Sequence, residues 1–557
     1  MNKISFKKNG LGEIKGLYYE VSKTSLKLSE LFFERHISGS YLSRYMCKVF
    51  KSTKYECYVK KHLAYDFFET LAGLHLVKEF SEDKRIIMND TLINRFALNE
   101  FSKNNKTNFN IFWLGSSWLF WPELFLYYLI IMKNFFGAGI SFKNRRNVKL
   151  YKEAAWGCNK PVLRDDFLID NINFTKNDII FYFRYRTEEG RIAEEQLRDS
   201  GYTVINLNKC SFNVKKHFLS FIKIFIFQPF YVFSIMFFNK TAYLSDFALK
   251  FYLESLAHFK FLANYNAKCH LSVADHGEVA ETMIMNMFGC KNILCNWSDK
   301  TPFKDVLNSF TAHNVFYSWG PIHYEFLQEY YYYNKVVMVG NFLLKAYFDS
   351  LANSKEKHLQ AKKTILLCDT SFSNAIMHSE KFYIDYLDLA IEMLNGIDDA
   401  DFIFKSKYHN SYILDNFSDK NIKNKYLENM KLLNKNKRFF YYDSSFQLEP
   451  FIAGSDIVIT MGMTSPSTIA LTLHKEAVFY DITGNNQHPM TKYLNSVVFS
   501  DKKLLIEYIK EVLNNKKSVF DLIDIDLLNS YDSYKDSKAL ERLVRAVYNE
   551  TECSTNN

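Results

Sequence analysis

The sequence predicts an α/β protein with two Rossmann-like, doubly wound parallel sheets and an irregular, mostly helical N-terminal portion. Three observations indicate this. Short strand-like runs alternate with helical patterns through the middle of the chain, and the alternation pauses near residues 340–362 and then resumes. The 557 residues exceed what one hydrophobic core usually holds, while only 8 prolines and 19 glycines leave no room for a long flexible linker.

The first series contains three βαβ-type units. Each unit has a continuous apolar run, a helical pattern and a second apolar run, which is typical of parallel strands covered on both faces. The strand-like runs are DIIFYF (178–183), YTVINL (202–207), CHLSVA (269–274), KNILCN (291–296), NVFYSW (314–319) and KVVMVG (335–340).

The second series repeats the pattern after residue 360 and predicts a second doubly wound sheet. Its strand-like runs are KTILLCD (363–369), DFIFKS (401–406), RFFYYD (438–443), SDIVIT (455–460) and EAVFYD (476–481). We therefore expect an N-terminal Rossmann-like domain over 1–345 that includes the helical portion, a second Rossmann-like domain over 346–530, and a C-terminal helix and tail over 531–557, with one substrate bound by each domain.

Composition excludes several classes of protein. The net charge of +9 is spread along the chain, which argues against nucleic acid binding. Nine scattered cysteines without a Cys-x-x-Cys pair indicate reduced thiols, and the first twenty residues do not resemble a secretory signal. These features predict a cytoplasmic protein.

Two apolar stretches, 110–132 and 217–238, approach the length that crosses a bilayer. Gly115, Pro122 and Glu123 interrupt the first, and Lys223, Gln228 and Pro229 interrupt the second. The alternatives are helices buried in a large domain, a face that docks on a membrane surface, and a true transmembrane span.

A cluster of small hydroxyl residues follows the run SDIVIT. Pro466 and the apolar pattern after it predict a helix whose N-cap is Ser465. Gly462, Thr464, Ser467 and Thr468 surround the same helix start, where free backbone N–H groups and the helix dipole favour anions. We expect a phosphate-binding cradle; a plain N-cap in a tight turn is the alternative.

Basic residues end the preceding strand of the same domain. FIFKSKYHN places Lys405, Lys407 and His409 at a carboxyl strand end, where ligands of such sheets bind. These groups could neutralise phosphate charge, although a solvated basic loop would carry the same residues.

The pairing of K-x-K-x-H with a downstream T-S-P-S-T resembles the nucleotide-binding half of GT-B glycosyltransferases that use cytidine-nucleotide donors, among them bacterial sialyl- and Kdo-transferases and polyol-phosphate transferases. The chain has His409-Asn410 where those enzymes have His-Pro. The resemblance implies a donor site made by Lys405, Lys407, His409 and the hydroxyl cradle. It also implies transfer without a metal ion or other cofactor.

Catalytic groups are expected in the first domain. SVADHGEVAE places Asp275, His276 and Glu278 directly after an apolar strand, although Asp275 could also be an N-cap. The loop with Glu188 and Glu189 follows another strand of that sheet, and those glutamates could simply favour a first helical turn. Asp275 could act as a base or a nucleophile. The resemblance pairs it with Glu189.

The predicted function is therefore transfer of a sugar from a cytidine-nucleotide donor, CMP-Kdo-like, to a growing bacterial surface glycan. The expected partners are a nucleotide sugar, a glycan or lipid-linked glycan acceptor, and the inner face of the cytoplasmic membrane as a peripheral contact. The alternatives are a CDP-linked polyol-phosphate transferase and a non-catalytic nucleotide-binding component of a polysaccharide assembly complex.

Overall fold

Two parallel sheets organise the computed structural model of the protein. The described residues are 16–38, 44, 46, 54–80, 85–105, 109–115, 120–137, 140–141, 144–153, 174–183, 188–238, 245–272, 279–296, 309–325, 330–345, 347–349, 362–372, 378–485 and 487–552. Their strands are β1 (Arg85–Asp90), β2 (Asn110–Gly115), β3 (Ile140–Ser141), β4 (Arg146–Glu153), β5 (Ile179–Phe183), β6 (Thr203–Asn206), β7 (Phe212–Asn213), β8 (Tyr265–Ser272), β9 (Lys291–Cys295), β10 (Thr311–Ser318), β11 (Tyr331–Met338), β12 (Lys363–Cys368), β13 (Ala400–Lys405), β14 (Phe439–Tyr442), β15 (Ile457–Met461), β16 (Glu476–Tyr480) and β17 (Val498–Phe499).

Helices connect and cover these strands. The α-helices of the described residues are Leu17–His36, Lys54–Phe80, Leu92–Asn105, Phe120–Gly137, Glu188–Asp199, Val214–Phe221, Gln228–Phe238, Ser245–Asn264, Val279–Met287, Pro321–Glu325, Glu380–Gly396, Asn410–Asn416, Lys420–Lys435, Glu449–Gly454, Ser465–Thr472, Lys502–Leu513, Ile525–Tyr531 and Ala539–Glu552. A π-helical segment, Ile222–Phe227, joins two of them.

Both large sheets have the doubly wound strand order. The first has seven strands in the order β11-β10-β9-β8-β4-β5-β6, and the second has six in the order β14-β13-β12-β15-β16-β17. Every pairing within them is parallel. Two Rossmann-like sheets with a mostly helical N-terminal portion confirm the predicted GT-B fold class.

Alternating side chains explain why the first sheet is covered on both faces. In β5, Ile180 and Tyr182 point into the core shared with the N-terminal helices, whereas Ile179, Phe181 and Phe183 point into a second core. The strand is buried throughout, so its sequence is continuously apolar rather than alternating.

The strand β4 lies inside the first sheet, between β8 and β5, although no strand was predicted there. It pairs with β5 through Leu150 and Ile179 and with β8 through Leu150 and Cys269. Its sequence RNVKLYKE carries charges at half of its positions, and one of them, Lys152, is buried. A strand rich in charge does not show the apolar run that identified its neighbours.

The C-terminal helix Ala539–Glu552 packs on the second face of the first sheet. Leu540, Leu543 and Val547 are buried in the core there. Glu550 forms ion pairs with Lys291 at 2.8 Å and with Lys335 at 2.7 Å. The chain therefore returns to the first domain after it has completed the second.

The N-terminal helix Leu17–His36 touches the second domain at its start. The backbone N–H of Gly16 donates to the carbonyl of Thr483 at 2.7 Å, and the Tyr19 and Thr483 hydroxyls lie 3.1 Å apart. Thr483 follows β16 by three residues, at the carboxyl edge of the second sheet. Both ends of the chain thus link the two domains.

Candidate functional site

The strand order determines where a ligand of the second sheet would bind. The chain reverses direction across the sheet between β12 and β15, and doubly wound sheets bind ligands outside the carboxyl ends of the strands at that point. Asp369 follows β12, and Gly462 follows β15. The predicted cradle therefore lies at the switch point of its sheet.

Asp369 organises this edge. Its buried carboxylate accepts hydrogen bonds from the Tyr383 hydroxyl at 2.7 Å, from the Ser406 hydroxyl at 2.8 Å and from the backbone N–H of Lys407 at 2.5 Å. Burial raises the pKa of Asp369, and these hydrogen bonds act in the opposite direction. The carboxylate fixes the turn after β13 and so holds Lys407 at the rim.

Lys407 presents its charge at this rim. Its side chain is exposed, and Nζ donates to the Ser371 hydroxyl at 2.9 Å. Ser371 also lies 2.8 Å from the Tyr408 hydroxyl, and the Lys407 ammonium lies 5.6 Å from the centre of the Tyr408 ring. The loop after β12 and the loop after β13 therefore meet through one lysine.

Lys405 has a different environment from the one that the sequence suggested. It is the last residue of β13, it is buried, and its ammonium donates to the Ser406 carbonyl at 2.9 Å. Burial lowers its pKa, and nearby acidic groups such as Asp369 oppose that effect. Of the two lysines, Lys407 is the one that faces solvent at the carboxyl edge.

His409 is oriented by a carboxylate on the next strand. Its Nδ1 lies 2.6 Å from Oδ2 of Asp443, which follows β14, and both side chains are half-buried. Partial burial acts to raise the pKa of Asp443, but hydrogen bonds from Ser445 and His409 outweigh it and lower the pKa. Asp443 thus fixes the ring of His409 at the same edge of the sheet.

Gly462 makes the turn that leads into the cradle. Its φ of +67° lies in the left-handed region, and its N–H donates to the Tyr480 carbonyl at 2.7 Å. A Cβ here would lie 3.0 Å from Cδ2 of His378 and closer still to Nε2. Burial, followed by the charge of Lys407, lowers the pKa of His378 to about 4, so the imidazole is neutral at pH 7.

The helix Ser465–Thr472 begins directly after this turn. Its N-cap is Thr464, one residue before the predicted Ser465, and Pro466 lies in the first turn as expected. The Oγ1 atoms of Thr464 and Thr468 are buried, and neither has a hydrogen-bond partner within the described part of the chain. Two unsatisfied hydroxyls at a helix start are suited to a ligand oxygen.

Ser467 belongs to the packing beneath the cradle. Its hydroxyl donates to the Val478 carbonyl at 2.8 Å and lies 3.1 Å from the Thr460 hydroxyl, and the residue is fully buried. These bonds connect the helix to β15 and β16. Ser467 therefore positions the helix start rather than facing a ligand.

The predicted catalytic residues of the first domain are mostly outside the described residues. Asp275, His276 and Glu278 fall in 273–278, between β8 and the helix Val279–Met287. Glu189 lies in the helix Glu188–Asp199, and its side chain is outside the description. The strand β8 itself pairs with β4, and the first sheet has its own switch point between these two strands.

Sequence reasoning missed four residues of the second domain's site: Asp369, Ser371, His378 and Asp443. Asp369 and Asp443 are each the last residue of a predicted strand-like run, so the rule that pointed to the carboxyl ends at Lys407 and Asp275 applies equally to them. His378 has no such signal, because only the folded chain brings it against Gly462.

Metal binding has no candidate cluster here. Among the described residues, no group of three or more His, Cys, Asp or Glu side chains could hold a metal ion. Metal-independent transfer remains a prediction.

Comparison with known proteins gives one family and several similar folds. Residues 300–506 match a family model described as polysaccharide biosynthesis PFTS motif protein. A search of curated proteins found no match. One similar solved structure is a Listeria monocytogenes protein described as a UDP-N-acetylglucosamine 2-epimerase, with a TM-score of 0.42 and 12% identity over 74% of this chain and 97% of that one. A second is a Rickettsia africae glycosyltransferase, with a TM-score of 0.38 and 12% identity over 74% of this chain and 100% of that one. A third is Acinetobacter baumannii MurG, with a TM-score of 0.39 and 10% identity over 72% of this chain and 99% of that one.

Proposed function

We propose that the protein is a glycosyltransferase that binds a nucleotide sugar at the carboxyl edge of its second sheet. The observation that carries this proposal is that Lys407, after β13, and the helix start with Thr464 and Thr468, after β15, lie at the same carboxyl edge, on the two sides of β12. A cation, the N-terminus of a helix and unsatisfied hydroxyls together suit a phosphate oxygen. The matched family description supports a role in polysaccharide biosynthesis.

The proposed donor is a cytidine-nucleotide sugar of the CMP-Kdo type, and the acceptor is a growing surface glycan or a lipid-linked glycan in the cytoplasm. The pairing of K-x-K-x-H with T-S-P-S-T supports the cytidine nucleotide. Lys407 would offset the charge of the departing phosphate. His409, held by Asp443, lies along the same edge and would contact the nucleotide.

The chemical step needs a base or a nucleophile from the first domain. In an inverting reaction, Asp275 would take the proton of the acceptor hydroxyl as its oxygen bonds to the anomeric carbon, and the bond from that carbon to the phosphate oxygen would break. In a retaining reaction, the Asp275 carboxylate would first displace the phosphate, and the acceptor would then displace Asp275. Glu189, Glu278 and His276 would assist at the same rim.

Calorimetry with CMP, CDP and UDP tests the donor site. We expect Thr468→Val to weaken binding of the preferred nucleotide by about 1–3 kcal/mol, because a hydroxyl that bonds phosphate is lost. Thr472→Val is the matched control, since the Thr472 hydroxyl already donates to the Ile469 carbonyl of the same helix at 2.8 Å. Equal affinities for both variants would remove Thr468 from the site, and a preference for UDP would contradict the cytidine donor.

Transfer assays test the catalytic assignment. Asp275→Asn keeps the size of the side chain and the capacity to cap a helix, but removes the charge. We expect a loss of several orders of magnitude in transfer rate with unchanged nucleotide affinity. Near-normal transfer would remove Asp275 from the mechanism. Nucleotide binding without any transfer or donor hydrolysis would instead favour a non-catalytic component.

A further inference from the structure

Nine large hydrophobic side chains are exposed on two helical segments of the first domain that are hydrogen-bonded to each other. They form what we call the apolar face: Phe125, Leu126, Leu129 and Met132 of the helix Phe120–Gly137, and Phe218, Leu219, Phe227, Phe230 and Tyr231 of the continuous helical run 214–238. Leu219 is 81% exposed, and Phe125 and Phe227 are each 65% exposed. Exposed apolar side chains concentrated on neighbouring elements in this way mark an interaction site.

Two tyrosines fix the segments against each other. The hydroxyl of Tyr127 donates to the Phe225 carbonyl at 3.1 Å, and that of Tyr128 donates to the Ile226 carbonyl at 2.8 Å. Both carbonyls lie in the π-helical segment Ile222–Phe227. A shift from α to π hydrogen bonding leaves a carbonyl without its usual donor, and the tyrosines supply donors there. These two hydrogen bonds therefore hold the two segments of the apolar face together.

The run 214–238 lies along the protein. By length and composition, 217–234 could cross a membrane. Its opposite side, however, is packed into the domain core through Ile224, Phe225, Val232 and Phe233. At 25 residues, the run is about 37 Å long, and buried residues occur along its length. Crossing a bilayer would expose this packed side, so the geometry favours a helix that lies in the plane of a membrane surface.

Charge complements the apolar side chains. The two segments 120–137 and 214–238 contain four lysines and one glutamate, a net charge of +3. Lys133 and Lys223 are exposed beside the apolar side chains. Lysines at the edge of an apolar face can extend their ammonium groups to lipid phosphates while their stems stay among apolar groups.

We propose that the apolar face docks the protein on an anionic lipid bilayer, with both helical segments in the plane of the membrane surface. Docking of this kind would bring a transferase to a lipid-linked acceptor at the membrane surface, and this purpose rests on the proposed function. The nucleotide site is in the other domain, so lipid binding and nucleotide binding can be measured separately.

Co-sedimentation with vesicles tests the docking surface. We expect the full chain to bind vesicles of phosphatidylcholine with phosphatidylglycerol at low salt, and to bind phosphatidylcholine alone more weakly, because lipid charge adds to apolar insertion. Leu219→Ser with Phe230→Ser should weaken binding roughly tenfold or more. Leu427→Ser with Leu432→Ser is the matched control, since these leucines are 46% and 55% exposed on the helix Lys420–Lys435 of the second domain.

Three results would overturn the proposal. They are no vesicle binding by the wild-type chain, equal losses of vesicle binding in both double variants, and unchanged vesicle binding by the Leu219 and Phe230 variant.

Light scattering on the same samples measures the oligomeric state and identifies a different occupant of the face. If the Leu219 and Phe230 variant turns a dimer into a monomer and leaves vesicle binding unchanged, a second copy of the chain covers the face. Nucleotide calorimetry on both variants should match the wild type, which separates this outcome from failure of the donor site.

Discussion

Replacement of Gly462 by alanine should destabilise the second domain more than replacement of a glycine that only has a positive φ, because backbone strain and a steric overlap add. The left-handed φ of +67° costs a side-chain-bearing residue about 1–2 kcal/mol. The new Cβ would also lie 3.0 Å or less from the buried imidazole of His378, and overpacking of this kind costs about 1–3 kcal/mol. The expected loss in the free energy of unfolding is therefore about 2–5 kcal/mol.

Two other glycines separate these costs. Gly289 has a φ of +74° with no atom within 4 Å of the added Cβ, so Gly289→Ala should cost only the backbone term, about 1–2 kcal/mol. Gly454 has neither feature, and Gly454→Ala should be neutral or slightly stabilising. Denaturant unfolding of the three variants, followed through the transition of each domain, measures the difference.

A double-mutant cycle isolates the contact. With His378→Ala in place, the overlap disappears, and Gly462→Ala should then cost only about 1–2 kcal/mol. The nucleotide affinity of the single Gly462→Ala variant should also fall, because the turn sets the position of the helix start. Two results would refute the close approach of His378. One is a loss in the free energy of unfolding for Gly462→Ala no larger than that for Gly289→Ala. The other is a coupling energy of zero in the double-mutant cycle.

Two further predictions concern buried ionisable groups. The His378 pKa of about 4 lies below its ordinary 6.5, so the unfolded chain binds the proton more tightly and the free energy of unfolding falls as the pH drops from 6.5. The His378→Gln variant should lack about 2–3 kcal/mol of this loss between pH 7 and pH 4.5. If the variant and the wild type lose stability equally over this range, the buried position of His378 is contradicted. Glu550→Gln should destabilise the first domain by about 1–3 kcal/mol in thermal or denaturant unfolding, because two lysines lose a largely buried carboxylate. Glu552→Gln, which breaks an exposed pair, should cost less than about 1 kcal/mol, and equal costs would argue against the buried role of Glu550.

The two apolar stretches show how far periodicity reaches. The sequence suggested three alternatives for each, and the structure divides the first into the strand β2 and the helix Phe120–Gly137. In the second stretch, a π-helical segment joins two helices. Apolar composition alone could not decide which side of either helix is buried, because both sides are apolar and only packing against the domain distinguishes them.

The sequence by itself determined that the chain forms two parallel sheets and at which edge the proposed donor site lies. Parallel strands buried on both faces must be continuously apolar, and their carboxyl ends must share one edge, so the predicted runs that end at Asp369, Ser406 and Thr460 were sufficient to locate that edge. Only the tertiary structure decided the role of each side chain there. The packed domain buries Lys405, hydrogen bonds to β15 and β16 commit Ser467 to the interior, and the fold brings His378 against Gly462. These environments depend on how separate elements pack against one another, so local patterns of sequence cannot contain them.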